Sequence, residues 1–364
     1  MAPRPDWNLL MVRARDAWRL LPKRPDGSID WGAVRVGHLD TGCTRHPIFG
    51  DWAAGSAWLR PADGHNLIEN GKPPLDPLDY EGNPGHGTRT ASLLCGDATR
   101  LGADPEGEIG IAPRLPVVPC RIVNSVVLIR ERHRTAVADG IRHAMDAGCQ
   151  VISMSLGTPT FPPNMTGGMG RAVDRAYDAG IIMAAAGGQV IDRVTYPAKY
   201  NRTIGCGGVT RQRRIWFPYA LGDEVIDVWA PAEVVLRADA LAEAGILPLA
   251  PVEADDPGSL STDSGSKNDG KVGKGAGTSY ATVHVAAAAA MWLRLKGAEM
   301  DAAYSEPWQR VEAFRLLLRE TAGPINGASP ANGSGVLDIE RLLRAPLPNR
   351  SKLTKAARDK DKFA

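Results

Sequence analysis

The 364-residue chain is long enough to bury a sizeable core without disulfide or metal staples, and 43% hydrophobic with 23% charged residues excludes the disordered classes. With 43 basic against 41 acidic side chains the formal charge is only +2, so no global field directs the chain to nucleic acid or to an anionic membrane. The most apolar run, residues 283–293, falls far short of the roughly 20 residues that span a bilayer and reads as a buried helix.

In chain order, the N-terminal Met1-Ala2-Pro3-Arg4-Pro5-Asp6-Trp7 is basic but no apolar stretch follows it, so no signal peptide is predicted and a cytoplasmic location is expected. A strand is predicted over 34–39, a helix over 86–95, a strand over 117–123 and a helix over 135–147. A strand over 151–156, a helix over 169–179 and a strand over 181–185 follow, then strands over 203–207 and 225–229 and a long Ala-rich helix over 279–295. Short apolar strands alternating with helices predict an α/β fold, with a three-layer, doubly wound, mostly parallel sheet and helices on both faces. One domain over 1–345 is expected, with a polar surface insertion at about 237–274. The remaining 346–364, rich in Lys and Arg, reads as a solvated, flexible tail, with a docking arm as the alternative. The five cysteines are scattered without a C-x-x-C pair and are expected to be buried thiols.

Three positions carry candidate chemistry. The strand Val36-Gly37-His38-Leu39 runs into Asp40-Thr41-Gly42, and the carboxyl ends of parallel strands are where ligands bind, although an Asp there is often only a cap or turn residue. Gly85-His86-Gly87-Thr88 places a histidine between glycines at a helix start, where backbone and substrate can approach closely. Gly277-Thr278-Ser279-Tyr280-Ala281 leads into the Ala-rich helix, so Ser279 is either an N-cap or a nucleophile where the helix dipole favours negative charge. The order Asp, His, Ser, each at an element's end, is one of the known orders of a nucleophilic triad.

These motifs resemble those of the subtilisin-like serine peptidases: Asp40-Thr41-Gly42 with His46-Pro47, His86-Gly87-Thr88, and Gly277 to Ala281 with His284-Val285-Ala286. Val151-Ile152-Ser153-Met154-Ser155-Leu156-Gly157, Gly110-Ile111-Ala112-Pro113 and Tyr196-Pro197-Ala198-Lys199-Tyr200 match further landmarks in order, and the likeness spans roughly residues 7–300. The resemblance implies an endopeptidase with Asp40, His86 and Ser279 as catalytic triad and no cofactor in the chemistry. It also implies an extended protein or peptide substrate along Ser155, Leu156 and Gly157, beside a pocket lined by Ala185, Ala186 and Gly187. A regulatory protein partner is a further candidate; nucleic acid and membrane are not expected. An esterase is disfavoured, because no G-x-S-x-G elbow surrounds Ser279.

The chain departs from the family in places. Where relatives carry an oxyanion-binding Asn, Gly187 is followed by Gly188 and Gln189. Removing one such donor costs a subtilisin about 100- to 1,000-fold in turnover. Three explanations stay open: Gln189 reaches the oxyanion in a turn shifted by one residue, which is favoured; backbone N–H groups around Ser279 serve alone; or the chain is a weakly active binding module. Val283 stands where relatives have proline. Residues 7–18 resemble the start of a mature catalytic domain, so folding without a pro-domain is expected, and the insertion before Ser279 is a candidate gate. Calcium is common in the family but cannot be assigned to a site here. Asp97, Asp104 and Glu106 share a polar loop that reads as a solvated turn.

Overall fold

Segments such as Val36–Asp40, Val151–Met154 and Ile182–Ala186 are buried along their whole length, the pattern of strands covered on both faces. The computed structural model describes residues 6–51, 55, 57–101, 109–158, 168–189, 191–217, 226–240, 272–327 and 335–358. Its strands are β1 (Val36–Asp40), β2 (His65–Asn66), β3 (Val117–Arg121), β4 (Val151–Met154), β5 (Ile182–Ala186), β6 (Ile204–Val209) and β7 (Val228–Pro231). They form one sheet of order β2-β3-β1-β4-β5-β6-β7, parallel at every pairing. The expected doubly wound, three-layer architecture is therefore present.

Past two short N-terminal helices, α1 (Trp7–Met11) and α2 (Ala14–Trp18), the chain runs from β1 to the edge strand β2, turns back through α3 (His86–Cys95) to β3, and passes through α4 (Glu131–Asp146) to β4 and α5 (Met169–Asp178) to β5. α3 lies on one face of the sheet and α4, packed on α5, on the other; connections from the carboxyl ends of neighbouring β1 and β4 run in opposite directions and leave a crevice between them. The helix α6 (Thr278–Ala303) packs beside α3 across β4 to β7. Its run from Ala286 to Ala290 is fully buried, and the small side chains let this long helix lie close on the strands. Trp292, at 5.4 Å from the Phe314 ring, closes the far end against α7 (Trp308–Thr321).

Some boundaries differ from expectation. The strand expected at 225–229 is β7, shifted toward the C-terminus; just before it the Asp227 carboxylate is held by Arg315, Arg319 and the Gly205 N–H, and residue 225 lies outside the described residues. The expected insertion begins and ends in an antiparallel ribbon of β8 (Val235–Ala238) and β9 (Val272–Gly275), with Val235 opposite Gly275; residues 241–271 lie outside the described residues. The C-terminal segment is not a free tail over its described length. Beyond α8 (Ile339–Arg344) it docks on α5, where the Ala356 N–H donates to Tyr177 Oη (2.9 Å) and its carbonyl accepts from Arg202 (3.0 and 3.1 Å). Lys355 pairs with Asp178 at 2.8 Å. Two of the basic residues that suggested solvation, Lys355 and Arg358, face Asp178 on α5, which composition does not reveal.

His284 makes this core sensitive to acid. Its Nδ1–H donates to the Tyr280 carbonyl (2.6 Å), its Nε2 accepts from Asn8 (3.1 Å), and full burial lowers its pKa to about 4. Below an unfolded-state pKa of about 6.5 the unfolded chain therefore binds a proton that the native chain refuses. Stability is expected to fall as pH drops through this window, by roughly 3 kcal/mol once both values are passed. Urea midpoints near neutrality and near pH 5 check this, and His284→Gln should flatten the slope.

Candidate active site

Asp40 ends β1 at the β1/β4 crevice, fully buried. Its Oδ1 accepts from His86 Nδ1–H and from the Thr41 N–H, both at 2.7 Å, while Thr90 Oγ1 lies 3.3 Å from Oδ2. Burial alone would raise this carboxyl's pKa; the charge and hydrogen bond of His86, followed by His38 and the Thr41 N–H, outweigh burial and hold it below the usual carboxylate range.

His86 opens α3 behind Gly85, whose φ of +73° suits glycine. A Cβ on Gly87 would collide with the Gly42 carbonyl, so only glycine lets the helix start press against the Asp40 turn. A buried acid that the sequence did not single out ties these two loops together. Asp76 accepts from Thr41 Oγ1 (2.8 Å), the Gly85 N–H (2.7 Å), the Leu78 N–H and Tyr80 Oη, while Thr41 Oγ1 accepts from the Gly87 N–H (3.0 Å). Burial raises the Asp76 pKa against these bonds. Nothing in the spacing of Asp76 from either motif announces this role.

Since a carboxylate only accepts, Asp40 fixes the His86 proton on Nδ1 and leaves Nε2 as an acceptor. Ser279 Oγ lies 3.1 Å from that Nε2 and 3.3 Å from the Ser155 carbonyl, so its single proton has two acceptors. Ser155 Oγ returns a bond to the Ser279 carbonyl (2.9 Å) and anchors the first turn of α6. Gly277 precedes that turn and offers no side-chain cap; instead Gln189 Oε1 accepts from the Thr278 N–H at 2.8 Å. The structure thus brings Asp40, His86, Ser279, Ser155 and Gln189 to one place.

The implied peptide-binding segments lie beside it. Gly157 already uses its N–H and C=O on Val126 (2.9 Å) and Leu128 (2.8 Å), and Gly187 uses its own on Cys206 and Thr195. Ala185 and Ala186 are buried in β5. Gly188 has a φ of +97°, and a Cβ there would lie 2.7 Å from Thr195 Cγ2. A Cβ on Gly157 would strike Thr195 Oγ1, which is hydrogen-bonded to the carbonyls of Ala186 and Gly187 at 3.3 and 3.2 Å. The Thr195 side chain therefore fills the space between the two segments. Sequence reading missed it because Gly157 is remote in the chain and no motif links Thr195 to it.

Asp97 is engaged by Thr99 and by Arg114 Nε (2.6 Å), so its oxygens are already satisfied by protein groups, while Asp104 and Glu106 lie outside the described residues. Among the described residues no group of three His, Cys, Asp or Glu side chains could hold a metal ion. All five cysteines are buried, and burial pushes the thiol pKa of Cys95, Cys120, Cys149 and Cys206 up. Among the described residues no helix is long and apolar enough to cross a membrane.

A sequence model of the subtilase family matches residues 32–338. The chain is 27% identical over 320 residues to "Intracellular serine protease" of Paenibacillus polymyxa, covering 85% of this chain and 81% of that one. It is also 27% identical over 313 residues to "Major intracellular serine protease" of Bacillus subtilis (strain 168), covering 84% and 80%. Among solved structures it is similar in fold to fervidolysin from Fervidobacterium pennivorans, with a TM-score of 0.64 at 21% identity; the likeness covers 96% of this chain and 48% of that one.

Proposed function

The chain belongs to the subtilase family of serine endopeptidases, and we propose that it cleaves peptide bonds through Asp40, His86 and Ser279. Ser279 Oγ attacks the scissile carbonyl as its proton passes to His86 Nε2; Asp40 holds the imidazole in this tautomer and stabilises the imidazolium that results. His86 then gives the proton to the leaving amine, and water repeats the sequence on the acyl-enzyme. The observation that supports this reading is the unbroken Asp40–His86–Ser279 chain, with links of 2.7 and 3.1 Å. Treating the purified protein with a fluorophosphonate probe tests it. Ser279 should carry the label and Ser279→Ala should carry none; an unlabelled wild type would leave a binding module instead.

The substrate would be an extended peptide beside Ser155 and Leu156. Relatives described as intracellular serine proteases support substrates within the cytoplasm. Thr195 filling the space between Gly157 and Gly188 favours a small residue before the cut. Thr195→Gly removes three heavy atoms and should raise kcat/KM for a peptide with a large apolar residue there, relative to an alanine peptide, by at least about 10-fold, the lower end of what a single methylene of pocket fit is worth. Paired assays of the two peptides check this, and an unchanged ratio would refute it.

A further inference from the structure

The residue two before Asp40 on β1 is a histidine, His38, which is 1% exposed and takes no part in the scheme above. Its Nε2 lies 3.0 Å from Thr90 Oγ1, 3.2 Å from the Gly87 carbonyl and 3.7 Å from Asp40 Oδ2. Among the described residues its Nδ1 has no hydrogen-bond partner. We infer that His38 is a positioning residue of the triad: held neutral with its proton on Nε2, it keeps the Thr90 hydroxyl proton available to the second carboxylate oxygen of Asp40.

The donor and acceptor count leads to this arrangement. The Gly87 carbonyl and the Asp40 carboxylate can only accept, so the His38 nitrogen facing them must carry the proton. Thr90 has a single proton, within reach of Asp40 Oδ2 (3.3 Å), the His86 carbonyl (3.0 Å) and the Gly87 carbonyl (3.2 Å). Were His38 Nε2 bare, it would compete for that proton; as a donor it instead satisfies Thr90 and the Gly87 carbonyl. The orphan Nδ1 is then a bare acceptor, the less costly group to leave unpaired in a buried site. The arrangement also settles charge. Desolvation pulls the His38 pKa below its usual value against the nearby Asp40, with His86 pulling the same way as burial. Those two are the titratable groups that act on it; Pro119 and Ser153, its partners on β3 and β4, carry no charge. A neutral donor supports the Asp40 anion without supplying a second cation to rival the imidazolium of His86.

This inference rests on the catalytic reading of Asp40, His86 and Ser279. Its test is the second-order rate of fluorophosphonate labelling measured across pH for the full chain. In His38→Val the unsatisfied Gly87 carbonyl draws the Thr90 proton from Asp40, and labelling should be about 10-fold slower, the worth of that one hydrogen bond to an ionised group. Its acid limb should lie at higher pH, because a less satisfied Asp40 holds the imidazolium more strongly. His38→Gln, whose amide N–H reaches a similar position, should restore rate and limb. Thr90→Val should match His38→Val, and the double variant should be no worse than either. Unchanged rate and limb in His38→Val, no rescue by Gln, or additive losses would overturn the inference. Nitrogen NMR of histidine-labelled wild type decides it even if the variants do not fold: a proton on His38 Nδ1 at neutral pH sinks it. A wild type that does not label would remove the catalytic reading, whereas normal labelling with unaltered variants removes only the role of His38.

Discussion

Ser279→Ala, His86→Ala and the double variant are each expected to lower peptide hydrolysis by about 10⁶-fold, the size of such losses in a subtilisin. The three losses should be equal because the two side chains act as one unit. In the proposed mechanism Ser279 Oγ becomes a nucleophile by losing its proton to His86 Nε2 at 3.1 Å, while the Ser155 carbonyl at 3.3 Å can accept a hydrogen bond but cannot act as a base. Without His86 the hydroxyl rests on Ser155; without Ser279 the imidazole has no nucleophile to serve. Asp40→Asn should cost less, about 10⁴-fold, since it leaves both groups in place but offers His86 an amide that can select the wrong tautomer. Single-turnover assays with a chromogenic peptide measure all four. A double variant much slower than either single would show that the two residues act independently.

The parts of this site that were legible in the sequence are those whose role is fixed by local position. Asp40 closes an apolar strand, His86 and Ser279 open helices, and each carries neighbours, such as Gly87, that only a close approach requires. The parallel sheet was legible for the same reason: fully buried strands are uninterrupted apolar runs, and these alternate with helical patterns. The residues that could not be read act across long separations. Asp76 braces Thr41 and Gly85 from a loop with no motif of its own, and Thr195 fills a space bounded by Gly157 and Gly188. His38 reads as one more strand residue until the fold sets Thr90 and Asp40 beside it. The C-terminal segment illustrates the reverse error, because clustered positive charge suggests solvation unless the acidic face that receives it is known.

Gln189→Ala is expected to lower kcat by about 100- to 1,000-fold with KM changed little, as loss of one oxyanion donor does. The Thr278 N–H is a donor, so the end of the Gln189 amide that meets it at 2.8 Å must be the oxygen. The amide nitrogen is then turned away from Thr278 with its protons to give, one residue from the attacking Ser279. We propose two separable roles for Gln189: its oxygen caps α6, which Gly277 cannot do, and its nitrogen would meet the charge that develops on the substrate carbonyl. Gln189→Glu separates them. The carboxylate can still accept from Thr278, so the loss of about 1 kcal/mol of stability expected of Gln189→Ala should not appear. The same carboxylate offers no donor and adds repulsion, so kcat should fall at least as far as in Gln189→Ala. A Glu variant of native thermal midpoint and near-native kcat would transfer the oxyanion role to backbone N–H groups around Ser279. A loss in kcat without a loss in stability would place that role on the Gln189 amide nitrogen, in a turn shifted by one residue.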